Sequence, residues 1–181
     1  MATQAARVDP ATVPDVQDGP APEAFRGAMG LFPTGIAVIT VGQGADTEAM
    51  TASSVTSISL DPMLVLVSVN AVGRLVPAID GAGGFGVNVL AQDQRELSRR
   101  FATRDRPSGL AAQRLLGPAA VGHGGHLLLP DALVSLQCTT EHRYPGGDHV
   151  LYLGLVRALR VTDPDRPPLV YHRGAYTSLS A

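Results

Sequence analysis

The chain has 181 residues, enough for one domain with a substantial core, and a formal net charge of -2. That balance leaves no electrostatic footprint for nucleic acid, and no apolar run reaches the length of a membrane-spanning helix. All the basic residues are arginine, and a single cysteine excludes an internal disulfide framework or a cysteine-rich metal site, as expected of a cytoplasmic protein.

Residues 1–21 are rich in Ala, Pro, Val and Asp without periodicity, which predicts a disordered tail and argues against a secretory signal. The domain is expected over 22–181. It opens with a helix over 22–32, with Pro22 and Glu23 in the first turn and Phe25, Met29 and Phe32 on one face. Strands are expected over 36–41 and 48–52, around a Gly-rich loop. Thr51 then opens a run to Ser59 in which nearly every second or third side chain carries a hydroxyl. By itself that run reads either as a Ser/Thr turn bonding its own backbone or as a cradle that offers hydrogen bonds to a ligand.

The apolar run over 63–70 reads as a strand buried on both faces. A short helix over 74–79, a strand over 85–90 and a helix over 93–102 follow, the last with Asp93 as its N-cap. Residues 103–130 suggest irregular structure with one short helix. Alternation over 132–142 predicts a strand, the Tyr144-Pro-Gly-Gly-Asp segment a turn, and 150–161 a long returning strand. Closing strands are expected near 169–171 and 175–179. Many short strands, few helices and repeated Gly/Pro turns predict a mainly β fold: a barrel with a few helices packed on it.

Several signatures fail on their context. Gly81-Ala-Gly-Gly-Phe-Gly86 matches GxGxxG, yet it follows a helix and opens a strand, the reverse of a dinucleotide-binding turn. His123-Gly-Gly-His126 is an isolated pair in a Gly-rich loop, where an exposed polar role is expected and zinc would need further ligands. Cys138 sits on the apolar side of its strand as an inert thiol, and no serine stands in a GxSxG elbow. His149, directly after a Gly-Gly-Asp turn at the mouth of a long strand, reads as a rim residue, either offered to a ligand or capped by Asp148.

The segments FRGAMGLFPTGIAVIT, MTASSVTSISLDP, LVLVSVN, FGVNVLA and GGDHVLYLG, in this order, closely resemble the short-chain flavin reductase family, the reductase components of two-component flavin monooxygenases. The resemblance runs from about Phe25 to about Leu179. It implies an FMN-binding split β-barrel, a homodimer with flavin near the subunit interface, and reduction of FMN or FAD by NADH or NADPH for a partner monooxygenase. By position in the motifs, it assigns Thr51, Ala52, Ser53 and Ser54 to the flavin, with Thr34, Ser68, Asn88 and Phe101 as further contacts. His149 matches the family's GDH histidine on the nicotinamide side, the one catalytic candidate, in a positioning role rather than as an obligate acid or base.

Hydride transfer between two cofactors needs no protein nucleophile, so the residues have to bind, orient and stabilise charge. An arginine suits the phosphate, with Arg104, Arg99 and Arg100 as candidates. Ala49 stands where the family commonly has Gly before MTASS, and Val72-Gly-Arg-Leu75 replaces a Ser-x-Thr segment, leaving Arg74 as a substitute contact. The aromatic that often follows the Phe101-Ala102 helix end is also missing. The alternatives are a flavin-binding or electron-transfer barrel without NAD(P)H turnover, or an interaction module.

Overall fold

The computed structural model of the chain describes residues 19–122 and 124–179. Most of the expected tail, and His123, lie outside them. In chain order the elements are α1 (Pro22–Met29), β1 (Thr34–Gly35), β2 (Ala37–Val41), β3 (Glu48–Ala52), β4 (Val55–Leu60), β5 (Met63–Asn70), α2 (Leu75–Ala82), β6 (Gly84–Val89) and α3 (Arg95–Phe101). Then come α4 (Gly109–Leu116), β7 (Ala120–Val121), β8 (Leu127–Leu128), β9 (Val134–Gly146), β10 (His149–Val161), β11 (Val170–His172) and β12 (Ala175–Thr177).

Seven strands pair in the order β3-β2-β6-β9-β10-β5-β4, every neighbour antiparallel. The two edge strands, β3 and β4, are separated in sequence only by Ser53 and Ser54. Three Cα steps span at most about 10 Å, so the sheet must curl until its edges meet. The result is a split barrel whose seam lies at these two serines. Register shifts between Ser57 and Ser59 in β4, and near Gly154 in β10, mark the bulges that add twist to the curl. A small separate sheet, β1-β11-β12, is tied to the barrel through Ile36, Leu90 and Leu169, whose backbone groups bond one another.

The alternation of β2 explains the two-sided core. Ala37, Ile39 and Val41 pack with Val67, Phe85, Val87 and Tyr152, while Val38 joins a second cluster with Leu90, Phe101, Ala112 and Leu127. Thus β2 is buried on both faces, and its neighbour β6 nearly so. The expectation for β5 is corrected: Val65, Val67 and Val69 are buried, but Leu64, Leu66 and Ser68 on its other face are only half-buried. Beside β5 the edge strand β4 also leaves Ile58 and Leu60 exposed.

Helix α2 buries Leu75, Val76 and Ile79 in the barrel cluster. At about 1.5–3 kcal/mol for each buried side chain, this outweighs the surface pair Arg143–Asp80, worth about 0–1 kcal/mol. The helix stops at Gly83, whose φ of +66° is left-handed and whose N–H returns to the Ile79 carbonyl. Gly86 lies in β6 because a Cβ there would collide with the Thr40 hydroxyl. The GxGxxG match is therefore a helix cap followed by a tightly packed strand. α1 is helical as expected, but none of its residues is buried: Phe25, Met29 and the following Phe32 stand open.

Four local expectations change. Tyr144 and Pro145 continue β9 and pair with Leu151 and Val150, so the hairpin turn is only Gly147-Asp148. Asp93 is not the N-cap of α3; it sits in a 3-10 turn and pairs with Arg166, whose hydrogen bond holds its carboxyl below the usual carboxylate range. His126 is buried rather than exposed, and its Nδ1 accepts the Gly42 N–H at 3.4 Å. The hydroxyl-rich run beyond Ser54 is a strand, β4, not a turn. Cys138 is buried as expected, which pushes its thiol up to about 12, and among the described residues no cluster of metal-ligating side chains forms.

Asn88 is the polar knot between the two clusters. Its Nδ2 donates to the Val38 carbonyl, and its Oδ1 accepts from the Leu129 N–H at 2.9 Å and from the Ser135 hydroxyl at 3.1 Å. Asn88→Ala leaves the buried Leu129 N–H unpaired and removes the donor to the Val38 carbonyl, and is expected to lower unfolding free energy by about 3 kcal/mol in urea melts. A change below about 0.5 kcal/mol would refute this structural role.

Candidate functional site

Two cavities reach the chain next to the seam, one at Thr51 and one at Ser53. One, of about 460 Å³, is walled by Met50 and Thr51 of β3, by Asn70, Val72 and Arg74 around the end of β5, and by Ala102, Thr103, Arg104 and Arg106 beyond α3. The other, of about 450 Å³, is walled by Phe32, Pro33 and Thr34, by Ser53 of the seam, and by Val55, Thr56 and Ser57 of β4. A ligand crossing the seam would meet β3 on one side and β4 on the other. As edge strands, both carry backbone groups on the side that no neighbour pairs.

The first cavity is electropositive. Arg74 pairs with Glu48 at 3.2 Å and donates to the Arg106 carbonyl at 2.8 Å. Arg106 donates through Nε to the Ala49 carbonyl at 2.8 Å, and its buried Nη2 has no partner among the described residues. Burial, then the neighbouring Arg74 charge, pulls the Arg106 guanidinium below its ordinary value, with Glu48 acting in the opposite sense. Arg104 adds a third cation to the wall. Three guanidiniums against one carboxylate leave positive charge that a phosphate would neutralise, and arginine's donor fork matches phosphate geometry.

A larger cavity of about 590 Å³ lies beyond Glu48, lined by Asp46, Ser108, Gly109 and one face of α2. It holds none of the residues expected to contact flavin or nicotinamide. Its ionisable lining is acidic, so an anionic ligand is repelled there. Arg74 faces the smaller cavity while its partner Glu48 faces the larger, and this ion pair stands between the two.

The hydroxyls are already directed. Thr51 Oγ1 donates to the Ser98 carbonyl at 2.7 Å, and Ser54 Oγ donates to the Ser68 carbonyl at 3.0 Å. Each therefore offers only lone pairs to a ligand. Ser68 pairs across β5 and β10 with Leu151. Ala52 is buried in the barrel core and contributes backbone at the seam. Thr34 is half-buried in β1, opposite Tyr171.

His149 opens β10 with its Cα opposite Asn70, a residue of the electropositive wall. Its Nδ1 lies 2.7 Å from Asp148 Oδ1, and this hydrogen bond holds the Asp148 carboxyl below its ordinary value. The Asp148 cap read from the sequence is therefore present, while His149 itself lines neither of the two cavities. The pairing orients the ring and leaves Nε2 as its second polar atom.

Two of the expected contacts are out of reach. Asn88 is wholly buried with its amide committed to the protein, and Phe101 is wholly buried in the second cluster, where it seats α3. Both lie behind the wall: Asn88 is held in β6 by its own hydrogen bonds, and Phe101 is on the face of α3 that packs into the second cluster. Of the arginines expected near a phosphate, Arg104 lines the cavity. Arg99 instead lies over the Tyr176 ring and 3.7 Å from Glu96, and Arg100 points to solvent on α3. Arg106 was not among the candidates. The sequence offers four arginines between 99 and 106 with no periodicity to select among them, and only the turn after α3 aims two of them inward.

Comparison with known proteins matches the geometry. A family model described as a flavin reductase like domain matches residues 29–180. The chain is 56% identical over 182 residues to a protein of Streptomyces nodosus subsp. asukaensis named NADH-dependent FMN reductase AsuE2, covering 99% of this chain and 98% of that one. It is 35% identical to the reductase component of 4-hydroxyphenylacetate 3-monooxygenase from Thermus thermophilus, covering 87% of this chain and 96% of the relative. Among solved structures it is similar to BorF, the flavin reductase component of a bacterial two-component tryptophan halogenase, with a TM-score of 0.80 and 37% identity over 88% of this chain and 98% of that one. With a barrel seam flanked by hydroxyls and arginines, and with these matches over nearly its whole length, the chain belongs to the flavin reductase-like domain family.

Proposed function

We propose that this chain is an NADH-dependent flavin reductase that passes hydride to FMN or FAD and supplies the reduced flavin to a separate monooxygenase. The observation that carries the reading is the pair of cavities next to the seam. Ser53 lines one and Thr51, two residues before it, lines the other, and only the one bounded by Thr51 has the arginines that a flavin phosphate needs. The name of the 56% identical relative supports NADH and FMN as the preferred pair over NADPH and FAD. The name of the Thermus relative, a reductase component, supports a monooxygenase as the consumer of the product. The nicotinamide donor is a cytoplasmic metabolite, so the proposed setting is the cytoplasm, with residues 22–181 as the working domain.

Hydride transfer from nicotinamide C4 to flavin N5 is chemistry that the two cofactors supply when bound. The chain's part is to hold the rings together, exclude water and stabilise charge. In this reading, edge-strand backbone around Ser53 and Ser54 faces the ring, Thr51 and Ser54 accept hydrogen bonds from it or its ribityl arm, and Arg74, Arg104 and Arg106 hold the phosphate. Ser68 supports Ser54 from behind, and Thr34 closes the far side. His149, held by Asp148 beside Asn70, positions the nicotinamide. Asn88 and Phe101 act as supports.

We also propose a homodimer. The exposed Phe25, Met29 and Phe32 of the α1 segment adjoin the second cavity, and Leu60 and Met63 extend apolar surface along the edge of the barrel. Sedimentation velocity is expected to give twice the mass of one chain, and Phe32→Glu to shift the population to monomer. A monomeric wild-type protein at micromolar concentration contradicts this.

The function is tested by steady-state NADH and NADPH oxidation with FMN, FAD and riboflavin. NADH with FMN is expected to be fastest. Arg104→Ala is expected to raise the KM for FMN by about tenfold while changing that for riboflavin, which has no phosphate, less than about twofold. Absence of a flavin-dependent rate with either nicotinamide would overturn the reductase reading.

A further inference from the structure

Behind the seam, two hydrogen bonds meet at Ser98, one on its hydroxyl from the C-terminal strand and one on its carbonyl from Thr51 of the electropositive cavity. The Tyr176 hydroxyl in β12 lies 2.7 Å from Ser98 Oγ, and Ser98 is wholly buried. Tyr176 is held from above by two cations: the guanidinium carbons of Arg95 and Arg99 lie 5.4 and 5.8 Å from its ring centroid. Its edge meets Tyr171, the partner of Thr34 in the small sheet. The Ser98 carbonyl belongs to the last turn of α3, where helix carbonyls lack an intrahelical partner, and the next turn tightens so that the Ala102 N–H bonds the Arg99 carbonyl instead. The proton on Thr51 Oγ1 fills that vacancy at 2.7 Å.

The direction of this line matters. A carbonyl cannot donate, so Thr51 must, and its one hydroxyl proton is spent on Ser98. What remains for the cavity is a pair of lone pairs. We propose that Tyr176 is a positioning residue for the flavin site: through Ser98 it fixes the last turn of α3 against β3, and so holds Thr51 as a pure hydrogen-bond acceptor that selects a donor group on the ligand. In a flavin mononucleotide, the donors are the ring N3–H and the ribityl hydroxyls. The same turn of α3 leads into Thr103, Arg104 and Arg106, so a slip of Ser98 displaces the phosphate wall along with Thr51. This inference rests on the assignment of Thr51 to the flavin site.

The test is a double-mutant cycle on FMN affinity in the full chain. Tyr176→Phe keeps the ring beneath both arginines and removes only the hydroxyl; Ser98→Ala breaks the line at its middle and serves if the first variant is poorly folded. Each is expected to raise the FMN Kd about threefold to tenfold, the range for loss of one buried hydrogen bond, with the NADH KM within about twofold of wild type. Thr51→Val is expected to do likewise, Thr51→Ser to retain tight binding, and Tyr176→Phe added to Thr51→Val to cost less than about 1.5-fold more, because the two act through one path. If Thr51→Val weakens FMN but Tyr176→Phe and Ser98→Ala do not, or if the Tyr176 and Thr51 effects simply add, this proposal fails and the flavin-site assignment stands. If Thr51→Val binds FMN as tightly as wild type, Thr51 leaves the flavin site and the proposal falls with it.

Discussion

The constraint on which the molecule depends is the length of the link between β3 and β4. Two residues, Ser53 and Ser54, join strands at opposite edges of a seven-stranded sheet. Because so short a link cannot reach across an open sheet, the sheet closes on itself and leaves a seam. Closure hides the apolar faces of β2, β5, β6 and β10, and it brings two unpaired strand edges side by side. Edge strands ordinarily invite further pairing. Here a bend of small hydroxylated residues lies between them, and a planar ligand with donors and acceptors on its rim is the kind of guest that such a seam can hold.

Charge then decides which cavity is used. The cavity of about 590 Å³ has acidic ionisable residues, and the one beside Thr51 has arginines from two separate stretches of chain. Arg74 and Arg106 are held by Glu48 and by backbone carbonyls, so they stand ready with part of their hydrogen bonding unfilled. Such preorganisation lets a phosphate bind without ordering long side chains at the moment of binding. In the proposed function the positive wall takes the phosphate, the seam takes the ring, and the histidine fixed by its neighbour serves the second cofactor.

Much of the barrel was legible because strand alternation and turn chemistry are local. β2, β3, β6 and β10 stand where their patterns put them, β9 starts later and runs on through Pro145, and the rejected GxGxxG match is a helix cap as its context required. Local pattern does not say what covers a strand. The apolar run of β5 suggested burial on both faces, yet its position beside the edge strand leaves one face half-open. The same limit explains Asn88 and Phe101. The motifs carried them as contacts, but depth is set by the tertiary layers, and both lie behind the wall. Ala49, a departure from the family's glycine, is wholly buried and fits because its methyl joins the second cluster. Arg106, Ser98 and Tyr176 gave no signal, since their hydrogen bonds join residues far apart in sequence.

A crystal structure of the protein with FMN tests the central claim most directly. The account predicts the isoalloxazine ring over Ser53 and Ser54, with the phosphate within hydrogen-bond reach of Arg104 and Arg74. A flavin seated instead in the acidic cavity beside Asp46, or bound away from the seam altogether, would contradict it.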